Sequence, residues 1–145
     1  MAITQAMCTL FKKDALLGDH HLDTDDIYIA LYTSSASLGD STDGYTTSNE
    51  VSGSGYSAGG NALSSKAVTE NSTSGVFDAA DPEWTSASFT ARCALIYNKT
   101  LGDASSNSRG PIAVLNFGGD FTVAGGTFKI VFPAATASNA IVRID

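Results

Sequence analysis

The residues Gly55-Tyr56-Ser57-Ala58-Gly59 spell the Gly-x-Ser-x-Gly turn on which many hydrolases hold a nucleophilic serine. That chemistry needs a buried strand before the serine and a helix after it, because the turn is strained and must be held from both sides. Here the preceding residues, Asn49-Glu50-Val51-Ser52-Gly53-Ser54, are polar, and Gly60-Asn61 is a poor helix start. Both histidines of the chain, His20 and His21, precede the serine, whereas that fold places its histidine last. A convergent triad can use any order, so the flanks argue harder than the order does. Pentapeptides of this kind arise readily in Ser/Gly-rich segments, and the sequence assigns no catalytic residue.

The same glycines hint at a loop that cradles phosphate. No Lys-Ser/Thr pair follows them, and the strand-to-helix setting of a dinucleotide site is missing. They read as turn glycines. A third cluster, Gly18-Asp19-His20-His21-Leu22-Asp23-Thr24-Asp25-Asp26, is the densest set of metal-ligand types. His20 or His21 with Asp23 and Asp25 has the chemistry for a divalent ion, but the Asp-x-Asp-x-Asp-Gly spacing of a calcium loop is absent. The cluster reads as a solvated connection whose acids cap turns and discourage edge pairing. Neither a metal nor a cofactor is expected.

Asp81-Pro82-Glu83-Trp84 resembles a carboxylate pair but reads as a turn into a strand, with Trp84 as a core or interface anchor. Arg92 stands alone in an otherwise apolar run and is expected to pair with an acid at a sheet edge or a subunit contact. Asn71-Ser72-Thr73 and Asn98-Lys99-Thr100 match glycosylation sequons, which carry no weight without a secretory signal.

Composition sets the frame for these residues. Charged residues are 16% of the chain, against about a quarter in an ordinary soluble domain, and small residues fill the gap. The net charge of −7, from 8 basic and 15 acidic residues, argues against nucleic acid and against an anionic membrane surface. The two cysteines, Cys8 and Cys93, sit far apart in apolar contexts, as buried thiols do, and no CxxC suggests zinc. The N-terminal MAITQAMCTLFKKDALL lacks the basic n-region of a signal peptide and the length of a membrane span, so synthesis in the cytoplasm is expected. The 145 residues suit one domain, residues 1–145, burying roughly two thirds of its unfolded surface.

Periodicity supplies the elements that must position these side chains. Thr4 to Leu17 reads as the one helix, with Ile3, Met7, Leu10, Phe11 and Leu17 in a stripe and Lys12, Lys13 and Asp14 opposite. Thr4 is its expected N-cap and Gly18 its stop. From Ile27 the period is two: IYIALYT places Ile27, Ile29 and Leu31 on one face and Tyr28, Ala30 and Tyr32 on the other. Further strands are expected at Ala62–Thr69, Gly75–Ala79, Trp84–Thr90, Ala91–Tyr97, Ile112–Phe117, Thr127–Phe132 and Ile141–Ile144. Gly102-Asp103, Gly110-Pro111, Gly118-Gly119, Gly125-Gly126 and Pro133 punctuate them as turns. The expected fold is all-β, an antiparallel β-sandwich of jelly-roll or other Greek-key type with one short N-terminal helix.

In order along nearly the whole chain, MAITQAMCTLFKKDALLGDHH, IYIALYTSSASLG, YTTSNEVSGSGYSAGGNAL, FTARCALIYN, PIAVLNFGGDF and TFKIVFPAATASNAIVRI resemble a family of small virion proteins encoded by tailed bacteriophages. The resemblance implies a structural component of the particle, not an enzyme. Within it, a capsid decoration (cement) protein on the outer face of the major capsid protein lattice fits best, since an acidic β domain belongs away from packaged DNA. This reading expects homotrimers at the capsid surface. Another virion part, a neck, tail or fibre-base subunit, is the alternative. A carbohydrate-binding sandwich using Tyr45, Tyr56 and Trp84 ranks third. Contact anchors are expected at Met7, Leu10 and Phe11 on the helix and at Tyr45, Val51 and Tyr56 in the loop from Ser34 to Asn61. The first three serve equally well as a cover over the end of the sandwich.

Overall fold

The computed structural model describes residues 2–104 and 109–145. Strands make up 46% and helix 11% of the chain, in two antiparallel sheets, so the fold is all-β as the periodicity predicts. In chain order the elements are β1 (Ala6–Met7), α1 (Thr9–Leu17), β2 (Ile27–Tyr32), β3 (Asn61–Ala62), β4 (Ala67–Asn71), β5 (Ser74–Asp78), β6 (Glu83–Asn98), α2 (Lys99–Ala104), β7 (Pro111–Lys129) and β8 (Val142–Ile144). One sheet runs β1-β7-β6-β2-β3 and the other β4-β5-β8. A single core joins them, since Phe77, Ala79 and Val142 from the smaller sheet and its flank cluster with Phe11, Ile29, Leu95 and Ile112. Each fully buried large side chain of this kind contributes about 1.5–3 kcal/mol relative to exposure.

β2 is covered on both faces: Ile27, Ile29, Ala30, Leu31 and Tyr32 are all buried and only Tyr28 is half-buried. Its register runs from Ile27 opposite Asn98 to Tyr32 opposite Cys93. The half of β6 beside it, Cys93 to Asn98, is therefore buried throughout. The other half alternates as a one-faced strand from Ala87 on, with Ala87, Phe89 and Ala91 inside and Ser88 and Thr90 outside; before it, a register shift at Thr85-Ser86 lets Trp84 also point inside. β7 pairs with β6 from Tyr97 opposite Pro111 to Glu83 opposite Lys129. β1 covers β7 only at Ala113 and Val114. Beyond these pairings the hairpin continues as a two-stranded arm, Glu83 to Ala91 with Phe121 to Lys129.

Several expectations are corrected. The helix begins at Cys8, its N-cap, rather than at Thr4, because Ala6 and Met7 extend to pair with β7. Gly18 does end it. Asp14, placed on the polar side by the stripe, is buried, while Leu16 and Leu17 are exposed. Trp84–Thr90 and Ala91–Tyr97 are one strand; Ile112–Phe117 and the first half of Thr127–Phe132 are likewise one strand, which ends at Lys129, before Ile130. Gly118-Gly119 and Gly125-Gly126 lie inside β7 at register shifts rather than at turns. Ala62–Thr69 splits into β3 and β4, and the short α2 was not anticipated.

Candidate interaction surface

The loop from Thr33 to Gly60 does not project into solvent; it is strapped onto β2 and β6. Its backbone meets β2 where the Val51 N–H donates to the Leu31 carbonyl and the Thr33 N–H to that of Asn49, both at 2.9 Å. It meets β6 where the Ser88 N–H donates to the Ser54 carbonyl at 2.9 Å. Glu50 is the knot of the strap. Its Oε2 accepts the Tyr45 hydroxyl, and its Oε1 accepts the Tyr56 hydroxyl and the Gly59 N–H, each at 2.7 Å. Tyr56 in turn accepts the Leu31 N–H at 2.9 Å, and Tyr97 donates to the Gly59 carbonyl at 2.7 Å. Tyr45 stacks on Tyr97 with centroids 5.1 Å apart.

Burial, reinforced by the Glu50 carboxylate, pushes the Tyr45 phenol up to about 12, and the same two causes raise Tyr56 further. Both phenols therefore hold their protons as donors at neutral pH, and a carboxylate accepting three short bonds clamps the strap. The glycines follow from the same closeness. A Cβ on Gly60 would lie 1.8 Å from the Ile29 carbonyl oxygen, and its φ of +77° excludes most side chains in any case. Ser57 sits in the exposed turn of this strap with a strand, β3, rather than a helix after it.

The opposite flank of the hairpin is open. Past Asn116, which is tied to the Ile3 carbonyl and the Gln5 side chain, β7 has among the described residues a strand neighbour on one side only. Along this stretch Phe121 is 53% exposed, and Val131 just beyond it 74%. Phe117, Val123, Phe128 and Ile130 are half-buried. A groove of about 500 Å³ runs over Phe117, Phe121, Val123, Phe128 and Ile130. Its floor is an aromatic chain: Phe121 on Phe117 at 6.3 Å, Phe117 on Phe128 at 6.2 Å, and Phe128 on Phe89 at 5.2 Å. The aromatic chain continues to the strapped loop, where Tyr56 meets Phe89 at 5.8 Å and Trp84 at 6.2 Å.

A second apolar exposure lies at the end of α1 and beside the small sheet. Leu16 is 91% and Leu17 67% exposed, and Val68 and Ile144 stand at the rim of a depression between α1 and β4, β5 and β8. The two apolar areas share no lining residue.

The residues named from sequence fall into three groups. Tyr45, Val51 and Tyr56 converge on Glu50 and β2, with Trp84 stacked behind Tyr56. Val51 and Trp84 are buried, so the exposed aromatic platform expected of a sugar-binding site is not formed. Phe11 is buried against the core, while Met7 and Leu10 are half-buried beside it, in the covering position. Arg92 reaches Asp120 on the neighbouring strand at 3.5 Å, the pairing with an acid that its setting suggested. Glu50 and the β7 phenylalanines were not singled out. The phenylalanines form a run of large apolar residues that continues through glycine pairs expected as turns, and that continuity is the signal for them in the sequence.

In the His20–Asp26 segment the side chains serve the fold. The buried Asn98 amide reaches His20 Nδ1 at 3.2 Å and donates to Asp25 Oδ2 at 2.7 Å, and the His20 ring packs on Phe11 at 4.7 Å. Burial lowers the His20 pKa against the opposing pull of Asp14 and Asp25. Among the described residues no group of three His, Cys, Asp or Glu is placed to hold a metal ion, and no helix is long and apolar enough to cross a membrane. Cys8 and Cys93 are buried free thiols, which burial pushes up to about 11. Comparison with family models, with curated proteins and with solved structures returned no match.

Proposed function

We propose that the protein is a structural subunit of a tailed-bacteriophage particle, a capsid decoration protein bound to the outer face of the major capsid protein lattice. One observation carries the reading: apolar side chains are exposed on two separate faces, the α1 end and the β7 arm, of a chain with few charges. Large exposed apolar areas on a small domain mark contact surfaces, and two of them suit a subunit held among neighbours. The sequence resemblance points the same way. In this reading Leu16, Leu17, Val68 and Ile144 meet the lattice. Modest contacts repeated over a shell gain strength through effective concentration.

The test compares purified capsids with and without the protein. Shells carrying it should survive to a higher temperature and hold on the order of hundreds of copies, as a repeated lattice site requires. Unchanged heat stability, or a count of about a dozen copies set by a single ring, would overturn decoration and favour a neck, tail or fibre-base position.

A further inference from the structure

The edge of β7 is written so that it complements itself. Its register against β6 passes from Ala124 opposite Ser88 to Gly126 opposite Ala87, leaving Gly125 as an extra residue with φ +64°. This is a β-bulge, and the Gly125 N–H is taken up by the Ser88 hydroxyl at 2.9 Å. With the bulged residue set aside, the edge from Asp120 to Lys129 reads Asp-Phe-Thr-Val-Ala-Gly-Thr-Phe-Lys. Turned antiparallel on a copy of itself about Ala124, it sets Asp120 against Lys129, Phe121 against Phe128, Thr122 against Thr127 and Val123 against Gly126. We propose that a second copy of this chain pairs with β7 along this edge, about a two-fold axis at Ala124.

The faces agree with that register. Phe121 and Phe128 are an odd number of residues apart and would point to opposite sides of a regular strand. The bulge resets the alternation, and both rings pack on the same Phe117. Asp120 and Lys129, each next in sequence to one of these rings, therefore share the other face. Thr122 lies on that face too, where its hydroxyl already bonds Thr90 across the hairpin at 2.8 Å. A two-fold axis normal to a sheet preserves faces, so rings meet rings and charges meet charges.

Charge complementarity selects a copy of this chain over other occupants. A chain of net charge −7 repels its own copies, yet this edge carries one acid and one base, about half-exposed and held, among the described residues, by long contacts to Arg92 and Asp81. The pairing brings together two Asp–Lys pairs, and places small residues where the strands approach at the axis. Opposed ring and ion pairs each stabilise a strand pairing, and the edge N–H and C=O groups gain partners. The inference goes beyond the virion reading, which expects trimers, and does not depend on it. A two-fold edge joins one subunit to one other, and in a shell it would link one trimer to the next.

The experiment uses the purified full-length chain in sedimentation equilibrium. The wild type should form a two-fold contact, Asp120→Lys and Lys129→Asp should each weaken association by about tenfold or more, and the double variant should restore it. Circular dichroism checks the fold of each. Independently, Ala124→Cys should cross-link to its own copy on mild oxidation, while Thr122→Cys, which faces Thr127, should not. The native thiols are buried and do not compete. A wild type that stays monomeric at hundreds of micromolar (on the order of a weak edge contact) would overturn the proposal. So would an Ala124→Cys that links no faster than Thr122→Cys, and this second test decides even if a charge variant fails to fold.

Discussion

The two outer edges of the β6–β7 hairpin are finished in opposite ways. Along β6 the chain supplies its own cover, a Ser/Gly-rich strap pinned by Glu50 and three tyrosines. Along β7 past Asn116 the described residues supply none, and an aromatic groove stays open beside the outer edge of the strand. Both flanks began with similar raw material, glycines among polar and aromatic residues. What separates them is where the polar groups find partners. The strap's tyrosine hydroxyls all reach acceptors within the chain, so its aromatic rings are spent on the fold. The β7 phenylalanines have no polar end to anchor and leave their edges toward solvent. A flank rich in internally satisfied hydroxyls is a finished surface, and a flank of bare rings beside an open edge is one that assembly completes.

The comparison can be broken at the strap first. Gly60→Ala sets a methyl group against the Ile29 carbonyl in an unfavourable backbone conformation, and should lower stability by about 3 kcal/mol or more in urea unfolding. A loss below about 1 kcal/mol would mean the strap is not seated as described. Glu50→Gln keeps the shape but faces a hydroxyl with an amide donor, and about 2 kcal/mol should be lost. Proteolysis between Thr33 and Gly60 should quicken at the same time, while the β7 arm is cut no faster.

A smaller effect appears with pH. Burial raises Cys8 and Cys93 to about 11 from an ordinary 9.0, and Tyr45 to about 12 from 10.0. The unfolded chain thus releases these protons at lower pH than the folded one. Their contribution is complete below about pH 9 and fades as pH rises toward 11 and 12. Each group removes at most about 1.4 kcal/mol per pH unit within its window. Urea midpoints that stay level from neutral to strongly alkaline pH would contradict this. The smallest change in stability belongs to the open flank. Phe121→Gln should shift unfolding by no more than about 0.5 kcal/mol, yet it should weaken self-association measured by sedimentation. That split between folding and assembly is the sharpest form of the contrast.

Much of the fold was legible because the strands obey their period. β2, both halves of β6 and the start of β7 stand where alternation or apolar runs put them. The helix start was misplaced because Ala6 and Met7 have a partner, Ala113 and Val114, more than a hundred residues away, and tertiary pairing overrides local propensity. The glycine pairs in β7 were read as turns because glycine marks bulges and turns alike. Of the candidate contact residues, Tyr45, Val51 and Tyr56 are expected as anchors of the loop and Trp84 as a core or interface anchor, but the tyrosines' hold on the fold depends on Glu50, whose bonds to both leave no trace in periodicity. The self-matching edge is visible in the letters only once Gly125 is known to be bulged.

The pairing order of the large sheet also constrains how the chain comes together during synthesis. β1, α1, β2 and the strap leave the ribosome first, yet β2 pairs with only two residues of β3 before its long partner begins at Cys93, and the partner of β1 begins at Ala113. Closing loops of that length before any contact repays them is entropically slow. The pairing of β6 with β7, which starts with Tyr97 opposite Pro111, closes the shortest loop of the large sheet, and it is made late. For most of its translation, then, the N-terminal half is an apolar strand and helix awaiting a template.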